Sequence, residues 1–208
     1  MPTPASLLSF QSSINLLCIT FSLFLCIGEA QSVYGEDLVD KEKRLFKGEI
    51  IVQTYPVKKS SLPKLVAEAI FMKPAKQIWN LIYDCARYSK VMPSIKESKN
   101  LGILNNGKVR CQLTVDLPWP LDDLTSVTDT LLIEDHKNGR YQRIWTLVSG
   151  DYTINEGSWT LESKCGGSCT YLRYEVRVEP KTSVPGFLKR AAQKSKIPGM
   201  FEKLRSQL

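Results

Sequence analysis

The final segment of the chain, from Ser183 to Leu208, most constrains the fold, because it predicts a long amphipathic helix. Apolar residues recur along it at helical spacing from Val184 onward, and the opposite face is basic. We expect Ser183 to cap the helix, Pro185 to lie in its first turn and Pro198 to kink or split it. The preceding region reads mainly as strands, and a helix that closes a run of antiparallel strands must bury its apolar face on their sheet. The sequence therefore predicts an α+β fold in which the sheet and this helix share an apolar seam.

The N-terminus has the pattern of a secretory leader. The apolar run Leu16–Ile27 is too short to cross a bilayer and is typical of a signal-peptide core, although no positive charge precedes it. The small residues Gly28 and Ala30 predict cleavage after Ala30, whereas the bulky Leu25 before Cys26 disfavours a lipoprotein site. We therefore expect export, to the periplasm or out of the cell.

The length after the leader suits a single domain. We predict a signal peptide over residues 1–30, a lead-in segment over 31–47 and one domain over 48–208. The chain carries 28 basic and 21 acidic side chains, a net charge of +7. This excess favours an anionic membrane surface as a partner, but it is spread along the chain, so a solvated surface explains it too. No basic run is interleaved with aromatic residues, so nucleic acid is not an expected partner.

The hydrophobic period changes to two in the middle of the chain. In residues 109–117, VRCQLTVDL, the odd positions are apolar and the even positions polar, which predicts a half-buried strand. A three-residue loop at Asn105–Gly107 pairs it with the segment Ile95–Leu104 and places Leu101 opposite Cys111.

The next hairpin is predicted to turn at the dipeptide Asn138–Gly139 and to pair Ile133 with Ile144. This register places Asp129 on the same face as the apolar residues. A carboxylate in the core must find a partner, change its pKa or meet a ligand, unless a twist or bulge turns it outward. The apolar residues that we expect on this core face are Val127, Leu131, Ile133, Ile144 and Val148.

A glycine-first turn at Gly167–Ser168 predicts the last hairpin and pairs Trp159 with Val176. This register aims Cys165 and Cys169 at opposite faces, so a disulfide between them would need a bulge. Two of the six cysteines lie in the leader. Any pairing stays open among the other cysteines, which are Cys85, Cys111, Cys165 and Cys169.

The sequence offers little for catalysis or metal binding. The single histidine, His136, lies just before the Asn-Gly turn, at an exposed hairpin tip where it cannot serve a buried triad. Cys165 and Cys169 lack a second pair of ligands for zinc. We predict no cofactor, no metal and no catalytic residue.

Several short motifs follow one another in a fixed order from residue 48 to the C-terminus. They are GEIIVQTYPVKKS from Gly48, AIFMKPAKQIWNLIYD from Ala69, YSKVMPS from Tyr88, PWPLDD from Pro118, GSWTLE from Gly157, YEVRVEP from Tyr174 and VPGFL from Val184. Their order and spacing resemble START-related lipid-binding domains of the SRPBCC, or Bet v 1-like, superfamily, whose relatives include polyketide cyclases and coenzyme Q-binding proteins.

The resemblance implies the helix-grip fold, in which a curved antiparallel sheet wraps a long C-terminal helix and leaves a tunnel for a hydrophobic ligand. Many relatives carry an Arg-Asp or Arg-Glu pair after P-W-P-L, where this chain has Leu124 and Thr125, which puts a ligand contact through that pair in doubt. The candidate tunnel-lining residues are Val115, Asp129, Leu131, Ile144, Thr146, Trp159, Tyr174, Val176, Phe187 and Ala191.

These observations predict an exported, non-enzymatic binding protein or carrier for a lipid or other hydrophobic small molecule. Ligand entry would require the C-terminal helix or a neighbouring loop to move, and the Pro198–Gly199 interruption is a candidate hinge. One alternative is a cyclase or aromatase that uses Glu97, Asp129 and Tyr174 as acid and base. Another is a packed domain with no cavity.

Overall fold

The computed structural model describes residues 38–58, 60, 62–183, 185–186 and 196–208. The chain divides into two units, Met1–Arg44 and Leu45–Leu208, and the second contains the sheet. The first described element is helix α1, over residues 38–46. No helix within the described ranges is long and apolar enough to span a bilayer.

One curved antiparallel sheet of eight strands forms the body of the second unit. From β3 to β8 each strand pairs with the next one in sequence, and β8 also pairs with β2, so the order is β1-β2-β8-β7-β6-β5-β4-β3. The predicted α+β helix-grip class is confirmed. The strands are β1 Ile51–Tyr55, β2 Lys64–Phe71, β3 Ile95–Ile103, β4 Val109–Val115, β5 Leu124–Asp135, β6 Arg140–Gly150, β7 Tyr152–Lys164 and β8 Cys169–Pro180.

Three further helices lie against one face of this sheet, which we call the inner face. Helix α2, Ala75–Ile82, begins directly after Pro74 and buries residues at helical spacing. A 3-10 turn at Cys85–Arg87 leads into the short helix α3, Tyr88–Val91. Helix α4, Ile197–Arg205, has Pro198 in its first turn, where a missing backbone donor costs nothing. Residues 187–195 of the predicted C-terminal helix lie outside the described residues.

The inner face is solidly packed over β2, β7 and β8. Phe201 of α4 is fully buried, and its ring centroid lies 6.2 Å from that of Phe71 and 5.9 Å from that of Trp159. Leu161 and Leu172 of β7 and β8 are also fully buried. The apolar seam that the C-terminal segment predicted therefore exists in this half of the sheet.

The last two hairpins differ from the predicted registers by two residues each. Leu131, not Ile133, is opposite Ile144, and Trp159 is opposite Tyr174 rather than Val176. The reason is a longer connection in each hairpin than the two-residue turn that the dipeptides suggested. A shift of two preserves the face on which each side chain lies.

The predicted core face of β5 and β6 is wrong, although the alternation is right. Leu131 and Ile133 are 39% and 41% exposed on the opposite face, which we call the outer face. Ser126, Thr128 and Thr130 occupy the inner face instead and are at most 2% exposed. Leu131 and Ile133 therefore point away from the helices, whereas Tyr141 and Trp145 of β6 belong to the core on the inner face.

The hairpin of β3 and β4 shows where a bulge changes a register. Leu101 was predicted opposite Cys111, but an irregularity between Asn100 and Gly102 leaves Leu101 unpaired and brings Asn100 to that position. Cys111 faces inward and forms a disulfide with Cys85.

A second disulfide joins Cys165 and Cys169. The prediction that these residues point to opposite faces is wrong, because the chain between them forms a 3-10 turn rather than a two-residue turn. Cys165 and Gly166 both have positive φ, 52° and 62°, and this tight path brings the two sulfurs together.

Candidate ligand-binding cavity

A cavity of about 230 Å³ lies between the inner face of β4–β8 and helices α3 and α4. One buried water needs only about 10–15 Å³ of such space, so the cavity is large enough for an organic group. Its apolar wall comes from strands β4 and β8 and from the start of α4. The residues of this wall are Leu113, Val115, Val176, Val178, Ile197 and Met200.

Four of the predicted tunnel residues line this cavity. Val115 and Val176 belong to its apolar wall, while Trp159 and Tyr174 line it as a tilted pair with ring centroids 4.4 Å apart. The predicted residues Phe187 and Ala191 lie outside the described residues.

The other four predicted tunnel residues lie on the outer face, so their predicted position in the tunnel is wrong. The sequence pattern put the larger aliphatic residues of β5 and β6 into the core, whereas the structure puts small hydroxyl residues there and so leaves room for the cavity. The displaced residues are Asp129, Leu131, Ile144 and Thr146.

Asp129 finds a partner on that outer face. Arg110 of β4 lies directly opposite, and its Nε and Nη2 donate hydrogen bonds of 2.8 and 3.0 Å to the two carboxylate oxygens. The hydrogen bond from Arg110 holds the pKa of Asp129 below its ordinary value. Asp129 is thus part of a surface ion pair and is not a cavity group.

The cavity also contains a buried cation that sequence reasoning missed. Arg143 of β6 is only 2% exposed and lines the cavity. The carbon at the centre of its guanidinium lies 4.9 Å from the ring centroid of Tyr88 and 5.7 Å from that of Trp145. Its Nη2 donates a 3.5 Å hydrogen bond to the Cys111 sulfur, and its Nε is buried without a hydrogen-bond partner. These aromatic faces hold the guanidinium through cation–π contacts.

A short polar chain fixes Trp145 beside Arg143. The indole Nε1 donates to Asn155 Oδ1 at 3.1 Å, and Asn155 Nδ2 donates to Ser126 Oγ at 3.1 Å. The indole lies against the bare backbone of Gly157, where an added Cβ would clash with the ring. Trp145 therefore forms a rigid part of the cavity wall.

The tyrosines of the cavity are neutral at physiological pH. Burial raises the pKa of Tyr88, whose hydroxyl donates a 2.7 Å hydrogen bond to the Ile82 carbonyl. Burial also raises the pKa of Tyr174, and it raises that of Tyr152 to about 12, with a further contribution from Asp151. These hydroxyls can offer hydrogen bonds, but they are poor bases.

The structure does not bring together the three residues that a cyclase or aromatase was expected to use as acid and base. Glu97 of β3 is exposed and Asp129 is on the outer face, so only Tyr174 lines the cavity. Among the described lining residues there is no acidic side chain, and the second cation is the exposed Lys196.

The sequence contains one signal that would have located Arg143. Tyr141 and Trp145 are the largest side chains of β6, and placing both of them in the core puts Arg143 between them on the same face. The aliphatic residues of β5, Leu131 and Ile133, predict the opposite core face, so the patterns of the two strands conflict.

The fold and the cavity together define a START-like domain of the SRPBCC superfamily. Residues 72–205 match the family described as polyketide cyclase / dehydrase and lipid transport, and the chain belongs to this family. The family and the fold support a domain that binds a hydrophobic ligand. The comparison with curated proteins gives no match.

Solved structures share the fold at low sequence identity. A STAR-related lipid transfer protein from Xanthomonas axonopodis has a TM-score of 0.64 and 19% identity, over 76% of this chain and 92% of that one. Human StAR-related lipid transfer protein 5 has a TM-score of 0.64 and 10% identity, over 86% and 94%. Human STARD10 has a TM-score of 0.64 and 15% identity, over 76% and 68%.

Proposed function

We propose that the protein is an exported, non-catalytic binding protein or carrier for a lipid or other hydrophobic small molecule. The observation that carries this proposal is the cavity of about 230 Å³ with its apolar wall between the sheet and α4. Apolar area gains about 25 cal/mol per Å² when it leaves water, so burial of about 300 Å² of ligand gives several kcal/mol before the cost of ordering.

The character of the cavity lining supports binding over catalysis. General acid–base chemistry needs a group whose pKa lies near the working pH. The described lining has neither a carboxylate nor a histidine, and burial raises the pKa of its tyrosines Tyr88, Tyr152 and Tyr174.

The two disulfides, Cys85–Cys111 and Cys165–Cys169, support export, because such bonds persist in oxidising compartments. N-terminal sequencing of the exported protein checks this part of the proposal. A mature chain that begins at Gln31 is the expected result, and retention of an intact leader in the cytoplasm would contradict it.

Transfer of a ligand would require the cavity to open near α4. Pro198 and Gly199 lie in the first turn of α4, beside the lining residues Ile197 and Met200. The excess positive charge would hold the protein near anionic lipid head groups. Flotation with neutral and anionic vesicles tests this step, and equal binding to both would remove the membrane surface from the proposal.

Native mass spectrometry of the purified full-length chain tests the main proposal. We expect a co-purifying apolar molecule, or binding of an added fluorescent fatty ligand when the chain is empty. The variant V176W fills the cavity and should abolish binding, whereas the matched variant I144W adds the same ring on the outer face and should retain it. A wild-type chain that binds nothing would contradict the proposal.

The cyclase or aromatase alternative needs a separate measurement, since an enzyme would also bind its substrate. The bound molecule is extracted, identified and incubated with fresh protein. Conversion to a product of different connectivity, lost in V176W, would favour the enzyme over the carrier.

A further inference from the structure

Arg143 is a buried cation with no acidic partner in the described part of the chain. Its side chain is 2% exposed, and no carboxylate is among the described residues that line the cavity around it. Arginine stays protonated in proteins, so the charge cannot be removed by a pKa shift. Burial of a charge is costly unless it is paired, and the site is therefore incomplete without a compensating group.

The groups that contact Arg143 leave most of its hydrogen-bonding capacity unused. A guanidinium has five N–H donors, and a sulfur atom such as that of Cys111 is a weak acceptor. The rings of Tyr88 and Trp145 stabilise the charge but accept no strong hydrogen bond. Its Nε is buried and has no hydrogen-bond partner.

The charge balance of the cavity points the same way. The two charged side chains among its described lining residues are Arg143, which is buried, and Lys196, which is exposed. The rest of the wall is aliphatic, aromatic or uncharged polar. A ligand that matches this lining has one apolar part and one negative charge.

We propose that the cavity binds an amphipathic acid, whose carboxylate pairs with the guanidinium of Arg143 while its single apolar chain or ring system lies against Val115 and Val176. The fork of a guanidinium matches the two oxygens of a carboxylate. The volume of about 230 Å³ suits one chain or ring system better than a two-chain lipid, since pockets for drug-sized ligands start at about 300 Å³. This inference rests on the proposed function and names the ligand class of the same site.

A series of three probes with one chain length tests the inference in the wild-type, full-length protein. Decanoate, decan-1-ol and decylamine share their apolar part and differ in the charge of the head group. At neutral pH, titration calorimetry should show decanoate binding about 10- to 100-fold more tightly than decan-1-ol, because it adds a charge-assisted pair. Decylammonium should bind most weakly.

Two matched variants assign the effect to Arg143. In R143M, the affinity for decanoate should fall by about 10- to 100-fold, while the affinity for decan-1-ol should change far less because the alcohol carries no charge. In R110M, which removes the same charge from the outer face, the affinity for both probes should stay unchanged.

Each remaining outcome separates this inference from the proposed function. Equal binding of decanoate and decan-1-ol by the wild type overturns the inference and leaves the proposed function intact. Binding of none of the three probes, with an empty cavity confirmed by mass spectrometry, overturns the proposed function. Displacement of decanoate by millimolar inorganic phosphate, with decan-1-ol retained, overturns the inference in favour of a free-anion site. If circular dichroism shows that R143M does not fold, the wild-type probe series alone decides.

Discussion

Arg110 on β4 and Arg143 on β6 flank the same strand, β5, but they lie on opposite faces of the sheet. Arg110 is partly exposed on the outer face and pairs with Asp129 through two hydrogen bonds. Arg143 is buried on the inner face and has aromatic rings and a sulfur atom as its neighbours. Arg110 thus has an acidic partner within the protein, whereas Arg143 has none among the described residues. The comparison shows that an unpaired buried charge is better evidence for a site than the presence of charge itself.

The largest expected difference between the inner and outer faces is the stability cost of a leucine-to-alanine substitution. Leu161→Ala removes a fully buried side chain of the inner face and should destabilise the protein by about 2–5 kcal/mol. Leu131→Ala, on the outer face and 39% exposed in the wild type, should cost less than about 1 kcal/mol. Urea unfolding measures both values, and equal losses would mean that the faces are assigned wrongly.

The inner face should also lose stability in alkali. Burial raises the pKa of Tyr152 to about 12, above the value of about 10 in an unfolded chain. The folded state therefore holds this proton more tightly, and the resulting stabilisation is present below pH 10 and is lost as the pH rises towards 12. From pH 9 to pH 12 the wild type should lose about 2–3 kcal/mol more than Y152F. Parallel stability curves for the two proteins would contradict the burial of this hydroxyl.

Removal of each arginine should change stability in opposite directions. R143M eliminates a buried cation that has no acidic partner, so the ligand-free protein should gain about 1–2 kcal/mol. R110M breaks the outer pair and should cost a little, because partly exposed ion pairs contribute little. Thermal unfolding of both variants measures the difference. A strong loss in R143M would show that the cation–π contacts stabilise the fold rather than present a ligand site.

The smallest expected effect is the acid titration of the outer face. Arg110 lowers the pKa of Asp129, so this carboxylate stabilises the fold above the unfolded value of about 3.9. The stabilisation should be lost as the pH falls through the lowered pKa, and D129N should lack this loss. Urea unfolding at pH 5 and pH 3 compares the two proteins, with R110M as the control that should behave like D129N.

The sequence predicted the parts of this fold that depend on local pattern. The antiparallel strands and the pairing of β3 with β4 follow from the period of two and from the loop glycine, Gly107. The motif order also indicated the START-like fold. Each of these features depends on neighbours in the sequence, which is why it could be read directly.

The site was only partly predictable, because its residues break the rule that apolar side chains face inward. Ser126 and Thr128 are small and polar yet buried, since a cavity needs room and hydrogen-bonding groups. The choice of face for β5 depends on its register with β4, where Arg110 meets Asp129, and single-strand patterns do not contain that register. Val115, Trp159, Tyr174 and Val176 line the cavity, because on their strands the apolar side chains of the alternating pattern face inward.

The size of the cavity depends on residue 157 being glycine, which has no Cβ atom. A methyl group on Gly157 would clash with the Trp145 ring and with the Glu175 carbonyl oxygen, so the ring would have to shift and the space beside it would change. A substitution at Gly157, which is not itself a lining residue, would thus change the volume that is open to a bound molecule.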